Sequence, residues 1–137
     1  MNYRFSELAP EPQALFDLYD SVQWNEFLQL SKERLFQAIE QSWYAIHVYD
    51  DEKLIGTGRV ISDGVINAVL CGIAVHPDYR RQGIGSDIVR GLVSKCRESR
   101  LHIQLFCTED KADYYLHLGF ETFAVGMKEQ GNVEEAE

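Results

Sequence analysis

Between Trp43 and Val75 three strand-length runs, WYAIHVYD, LIGTGRVIS and NAVLCGIAV, follow one another with only short connections. DDEK joins the first pair and SDG the second, and both are turn chemistry. Strands joined this closely run antiparallel, because a parallel pair needs a crossover of about a dozen residues or more. An antiparallel meander therefore occupies the middle of the chain. The third run is apolar throughout, as expected of a strand covered on both faces. Gly72 inside it marks a β-bulge.

The flanking segments complete the order. YRFSEL alternates and predicts a first strand. PQALFDLYDSV sets Leu15, Leu18, Tyr19 and Val22 at helical spacing. SKERLFQAIEQS predicts a second helix, with Ser31 as N-cap and Leu35, Phe36 and Ile39 on one face. QWNEF between them reads as a polar and aromatic connector. After the meander, SDIVRGLVSKC lines up Ile88, Val89, Leu92, Val93 and Cys96 on one helical face. LHIQLFC predicts a strand, KADYYLHLGF a short helix closed by Gly119, and ETFAVGM a last strand. The order β-α-α-β-β-β-α-β-α-β describes one mixed α/β domain of α+β type over residues 1–127. The acidic tail, 128–137, is expected to fray.

Charge and cysteines exclude several classes. The net charge of −9, from 13 Lys and Arg against 22 Asp and Glu, argues against general nucleic-acid binding or a polybasic membrane surface. Cys71, Cys96 and Cys107 are odd in number and form no CxxC pair. Each sits in an apolar run and reads as a buried small hydrophobe. No signal-peptide core or membrane-spanning run is visible, so a reducing, cytoplasmic setting is expected. The four histidines, His47, His76, His102 and His117, lack metal-ligand spacing, and no metal is expected.

The chemistry concentrates in VHPDYRRQGIGSDIVRGLVSKC. A strand that ends in a loop and feeds a helix leaves backbone N–H groups pointing outward, with the positive end of the helix dipole behind them. Glycine lets that backbone approach a ligand closely. Arg80 and Arg81 add charge at the rim, and Ser86 offers a hydroxyl or a cap. Together these features predict a site for a phosphate compound. A P-loop would need a lysine followed by Ser or Thr after its second glycine, and GxGxxG would need Gly or Ala at Ile88. Neither nucleotide motif fits.

This stretch resembles the coenzyme A-binding motif of the GNAT superfamily of N-acetyltransferases. That motif, Q/R-x-x-G-x-G/A, reads here Arg80-Arg81-Gln82-Gly83-Ile84-Gly85. The resemblance implies a mostly antiparallel sheet splayed at an acetyl-CoA cleft. It implies that the loop wraps the pyrophosphate, and that Ile73, Ala74 and Val75 pair with the pantetheine arm. ADYYLHLGF is similar to a second family segment, A-x-x-FY-x-K-x-GF, and the strand order agrees along nearly the whole chain.

The resemblance further implies transfer of acetyl from acetyl-CoA to a primary amine of a small molecule or peptide, by direct attack in a ternary complex. The amine must lose a proton, and the leaving thiolate must be protonated or stabilised. Tyr115 matches the family tyrosine near the thioester sulfur, with Tyr114 in reserve. A tyrosine suits the task, since its reference pKa of about 10 lies above the thiol's. His117, at the frequent lysine position, reads as solvent-facing, and His76 as loop geometry. Glu109 stands where some members carry a CoA-contacting Asn. No carboxylate lies on the strand before the loop, so base work falls to a water chain, Glu26 or Asp63. Cys71 reads as core rather than as a thioester neighbour. Trp24 and Phe27 are the acceptor candidates, with plain packing as their alternative. A catalytically silent CoA-binding or sensor module is the competing reading. Oligomeric state is left open, a homodimer included.

Overall fold

The computed structural model describes residues 3–131, except for the side chains of Phe27 and Leu28. The chain divides after Leu105 into two compact units. The first holds a five-stranded sheet in the order β1-β2-β3-β4-β5. Its strands are β1 (Arg4–Ser6), β2 (Tyr44–Asp50), β3 (Lys53–Ser62), β4 (Asn67–Val75) and β5 (His102–Leu105). All neighbours run antiparallel except β4 and β5, which are parallel. The meander and the mixed class are therefore as expected.

Helices cover both faces of this sheet. α1 (Pro12–Ser21) opens on a proline at its first position, where a missing N–H costs nothing. α3 (Lys32–Glu40) is capped as predicted, Ser31 accepting from the Arg34 N–H at 3.2 Å. Leu15, Leu18 and Tyr19 of α1 and Leu35 and Ile39 of α3 form one core with Ala45, Leu54 and Ala74. α4 (Ile84–Glu98) buries Ile84, Ile88, Val89, Leu92 and Cys96. It reaches the sheet at Ile46, next to Ala45 on β2. Successive strand residues face opposite ways, so α4 covers the face opposite to α1 and α3.

Inside this core His47 is fully buried, and its Nδ1 lies 2.9 Å from Thr57 Oγ1. Burial pushes its pKa down to about 4, which keeps the ring neutral at physiological pH.

Four expectations need correction. QWNEF is not a plain connector: Trp24–Leu28 form a short helix, α2, between left-handed residues Gln23 and Gln29. Cys107 is exposed, whereas Cys96 is buried and Cys71 half-buried. LHIQLFC supplies strand only as far as Leu105, so the apolar run overstated the burial at its end. In the second unit a 3-10 turn (Glu109–Lys111) leads into α5 (Ala112–His117), closed by Gly119 at φ +94°. The last strand, ETFAVGM, is absent among the described residues, where 120–131 carry no helix or strand. Val125 and Met127 are 87% and 93% exposed. Alternation sets which side chains share a face, but a strand also needs a ladder partner. Of the acidic tail, residues 132–137 lie outside the described residues.

Candidate active site

The site begins with an interruption in the sheet. The β4–β5 ladder runs from Asn67–His102 to Leu70–Leu105 and stops. From Cys71 to Val75, β4 keeps β3 on one side and has no strand on the other within the first unit. Where the ladder ends, β4 bulges. Thr57 pairs with Ala74 but Arg59 with Cys71, so Gly72 and Ile73 together face Gly58. Gly72 has φ +64°, as a residue in this kind of bulge requires. The Tyr19 hydroxyl donates to its carbonyl at 2.8 Å and locks the bulge against α1. Burial raises the Tyr19 pKa further above the ordinary phenol value than the nearby Arg59 lowers it. The hydroxyl therefore stays a donor.

The open edge runs into the glycine loop. His76 continues the ladder, its N–H donating to the Ile55 carbonyl at 2.8 Å. A 3-10 turn (Pro77–Tyr79) follows, then Arg80–Gly83, then α4. Gly83 is the N-cap at φ +81°, and a Cβ placed there would meet nothing within 4 Å. The position a Gly83 side chain would take is thus open among the described residues. Ile84 and Gly85 open the first turn of α4, where helix geometry supplies no intrahelical acceptor for a backbone N–H. Gly83 lends its carbonyl to the Asp87 N–H at 3.0 Å. The Asp87 carboxylate, an unwelcome charge beside an anion, is drawn to Arg90 at 3.4 Å.

The expected cofactor residues Ile73, Ala74, Val75, Arg80, Arg81, Gln82, Gly83, Ile84, Gly85 and Ser86 thus form one continuous strand–loop–helix. Their means differ. Arg80 and Arg81 are exposed charges, and Arg81 takes φ +64°. Ile84 and Ala74 bury their side chains, so only their backbone is available to a ligand. Gln82 accepts from the Tyr3 hydroxyl.

Trp24 is 39% exposed, and its ring lies tilted on Tyr19 with centroids 4.8 Å apart. Tyr19 in turn holds the bulge, so this acceptor candidate is tied to β4. The side chain of Phe27 lies outside the described residues. Of the base candidates, Asp63 builds its turn, accepting from the Val65 and Ile66 N–H groups at 2.9 and 2.8 Å. Those bonds hold its pKa below the usual carboxylate value, which makes it a poor base. Glu26 is exposed on α2. Burial raises the Cys71 thiol pKa, and the nearby Arg59 only partly opposes this, so Cys71 is not an activated thiolate.

In the second unit Tyr115 is half-buried on α5. Its ring sits edge-on to Tyr114 at 5.0 Å and to Phe120 at 5.9 Å. Burial chiefly, with Tyr114 and Cys107 beside it, raises its pKa. A phenol held protonated in this way keeps a proton to give. His117 is exposed and bonds through Nδ1 to the Asp113 carbonyl at 2.7 Å, a local role on its own helix. Sequence reasoning missed Tyr19 as the lock on Gly72 and Tyr79, whose hydroxyl donates to Asp50 at the end of β2. Both bonds join residues far apart in the chain, and only the glycine left a local mark. Among the described residues no group of His, Cys, Asp and Glu could hold a metal ion, and no helix is long and apolar enough to cross a membrane.

Comparison with known proteins agrees with this architecture. An uncharacterized N-acetyltransferase, ycf52, of Gracilaria tenuistipitata var. liui is 29% identical over 116 residues, which is 81% of this chain and 62% of that protein. This chain therefore spans less than two thirds of that relative's length. Among solved structures, a GNAT-family acetyltransferase from Streptococcus pneumoniae TIGR4 superposes with a TM-score of 0.77 at 26% identity, covering 96% of this chain and 98% of its own. The PaiA N-acetyltransferase of Thermoplasma acidophilum, solved in complex with coenzyme A, shares the fold with a TM-score of 0.74 at 17% identity, over 92% and 94% of the two chains. The Acetyltransferase (GNAT) family model matches residues 8–120, and with an interrupted β4 edge leading into a bare helix head, the chain belongs to that family.

Proposed function

We propose that this protein transfers acetyl from acetyl-CoA to a primary amine of a small molecule or peptide. The observation that carries the reading is the β4 edge from Cys71 to Val75, which no described strand of the first unit joins, leading directly to the head of α4. A pantetheine arm carries amides that can pair with a free strand edge, as an added strand does. A pyrophosphate suits the amides of Gly83–Ser86, with Arg80 and Arg81 at the rim. Gly83 supports the fit, because its positive φ and missing Cβ let the backbone come close to a phosphate.

In the transfer the amine nitrogen attacks the thioester carbonyl, the new C–N bond forms and the C–S bond breaks. The amine loses a proton, and the departing thiolate gains one. Tyr115 is our candidate donor, its raised pKa keeping the phenol protonated. Trp24 and Phe27 are our acceptor residues, on the helix beside Tyr19. The three free cysteines suit a reducing, cytoplasm-like compartment.

The test is thermal unfolding with CoA, acetyl-CoA, NAD and ATP. A ligand at a hundred times its Kd adds about 2.7 kcal/mol of stability. CoA and acetyl-CoA should raise Tm more than the two nucleotides, and no shift at millimolar CoA would remove the proposal. One observation favours a second reading, a CoA-binding module without catalysis: β4 carries no carboxylate, and Asp63 is engaged in its turn. Release of free thiol from acetyl-CoA across a panel of amines separates the two.

A further inference from the structure

The glycine loop is held from outside its own sequence. The Tyr79 hydroxyl, at the end of the 3-10 turn, donates to Asp50 Oδ2 at 2.7 Å. Asp50 is the last residue of β2, so the bond ties the loop to the β2–β3 hairpin. The same ring meets His76 edge-on at 5.8 Å and Tyr3 at 6.0 Å, and Lys53 Nζ lies 5.5 Å from its centre. The Tyr3 hydroxyl reaches over to Gln82. The residues that follow Tyr79 need such support. Arg81 holds a left-handed φ of +64°, which disfavours a side chain, and the side chains of Arg80, Arg81 and Gln82 are exposed rather than packed.

We propose that the Tyr79–Asp50 hydrogen bond is a positioning device that holds the glycine loop in its ligand-ready shape before the cofactor arrives. Tyr79 acts through the loop and touches no reacting atom. The inference rests on the CoA reading of that loop. The apparent Kd equals the intrinsic Kd divided by the fraction of loop in the competent shape. Loss of the bond that leaves roughly a fifth of the loop competent raises the Kd roughly fivefold. The phenol remains the donor throughout, since its bond to Asp50 pushes its pKa up to about 12.

CoA titration calorimetry on the wild type and on Tyr79→Phe, Asp50→Ala and the double variant tests this. The two singles should each weaken CoA binding roughly fivefold, and the double no further than either single. Asp50→Ala is decisive in sign. Removing a negative charge from the protein would by charge alone favour an anionic ligand, whereas loss of the positioning bond weakens its binding. Tyr44→Phe is the control. It removes a comparable tyrosine–carboxylate bond, to Glu7 at 2.9 Å, at the opposite end of β2, and should leave CoA affinity unchanged. In CoA-free Tyr79→Phe the amide resonances of Arg81–Gly85 should shift or broaden while those of α3 stay put. A wild-type Kd in Tyr79→Phe, tighter binding in Asp50→Ala, additive losses in the double, or an equal loss in Tyr44→Phe would each overturn the positioning role. If the wild type itself fails to bind CoA, the CoA reading falls and this inference with it. If the wild type binds and Tyr79→Phe binds as well, only this inference falls.

Discussion

The proposed anion site at the head of α4 is made of backbone, whereas the acid candidate on α5 is a single side chain. α4 runs for 15 residues and buries five side chains against the sheet. Its first-turn amides inherit that rigidity, and the sequence needs only to keep Cβ atoms out of the way. α5 has six residues, and none of them is buried. Tyr115 is kept in place by ring contacts with Tyr114 and Phe120 and by the Gly119 turn, across which its carbonyl accepts from the Phe120 N–H at 3.0 Å. A backbone site should thus fail when something is added, and a side-chain site when something is removed.

The largest effect is expected where removal is smallest in volume. Tyr115→Phe deletes one hydroxyl and keeps the ring and its packing. If that hydroxyl protonates the leaving thiolate, kcat falls roughly 10²–10⁴-fold, while CoA affinity barely moves. The raised pKa gives the pH dependence its direction. The acid works while protonated, so the wild-type rate should fall only above the ordinary tyrosine value near 10, and the variant should lose that fall. The comparison uses the true acceptor with chemistry limiting, since slow product release would mask the effect. Full kcat in Tyr115→Phe would reassign the role, with Tyr114→Phe next. Full rate in both would leave in-line binding of the two substrates to account for catalysis.

The same contrast explains what the sequence could disclose. The glycine loop was legible because its signals are local: strand, positive-φ glycine and amphipathic helix follow one another in order. Gly72 announced the bulge and Ser31 the cap for the same reason. What stayed hidden depends on distant partners. Tyr19 and Gly72 are 53 residues apart, and Tyr79 and Asp50 are 29 apart. A tyrosine at helical spacing reads as core, and nothing in FDLYDS says where its hydroxyl goes. ETFAVGM erred the other way: its alternation is local and plain, yet strand formation is a property of a pair. α2 was missed because five residues between two left-handed glutamines carry no periodic signal.

Addition is tested at Gly83. With φ at +81° any side chain is strained, at a cost of about 1–2 kcal/mol, but nothing stands within 4 Å of its Cβ and the fold should survive. Gly83→Asp then sets a carboxylate at the N-terminus of α4, where it competes for the very amides that are to hold phosphate. CoA binding should weaken by about a hundredfold or more, a loss of about 2.7 kcal/mol, while the strain lowers Tm by only several degrees and leaves the protein folded. Gly83→Ala carries the strain without the charge and should fall between. Wild-type CoA affinity in Gly83→Asp would move the phosphate site elsewhere.

The smallest effect belongs to the rim. Arg80 is exposed and extended, at φ −70° and ψ 162°, so its charge works through solvent. Interactions of that kind are screened over about 10 Å at 0.1 M salt and about 3 Å at 1 M. Arg80→Ala should therefore weaken CoA roughly threefold at low salt, about the worth of an exposed ion pair, and the deficit should shrink as salt rises. The Gly83→Asp deficit should persist further into high salt, because strain and blocked amides do not depend on ionic strength. Titrations of both variants at 20 mM and 500 mM salt, conditions chosen at about 20 Å and 5 Å of screening length, separate the two kinds of contact. An Arg80→Ala loss that holds its size at high salt would mean that the guanidinium grips the phosphate directly. No loss at low salt would mean that the backbone of Gly83–Ser86 holds the anion without help from that charge.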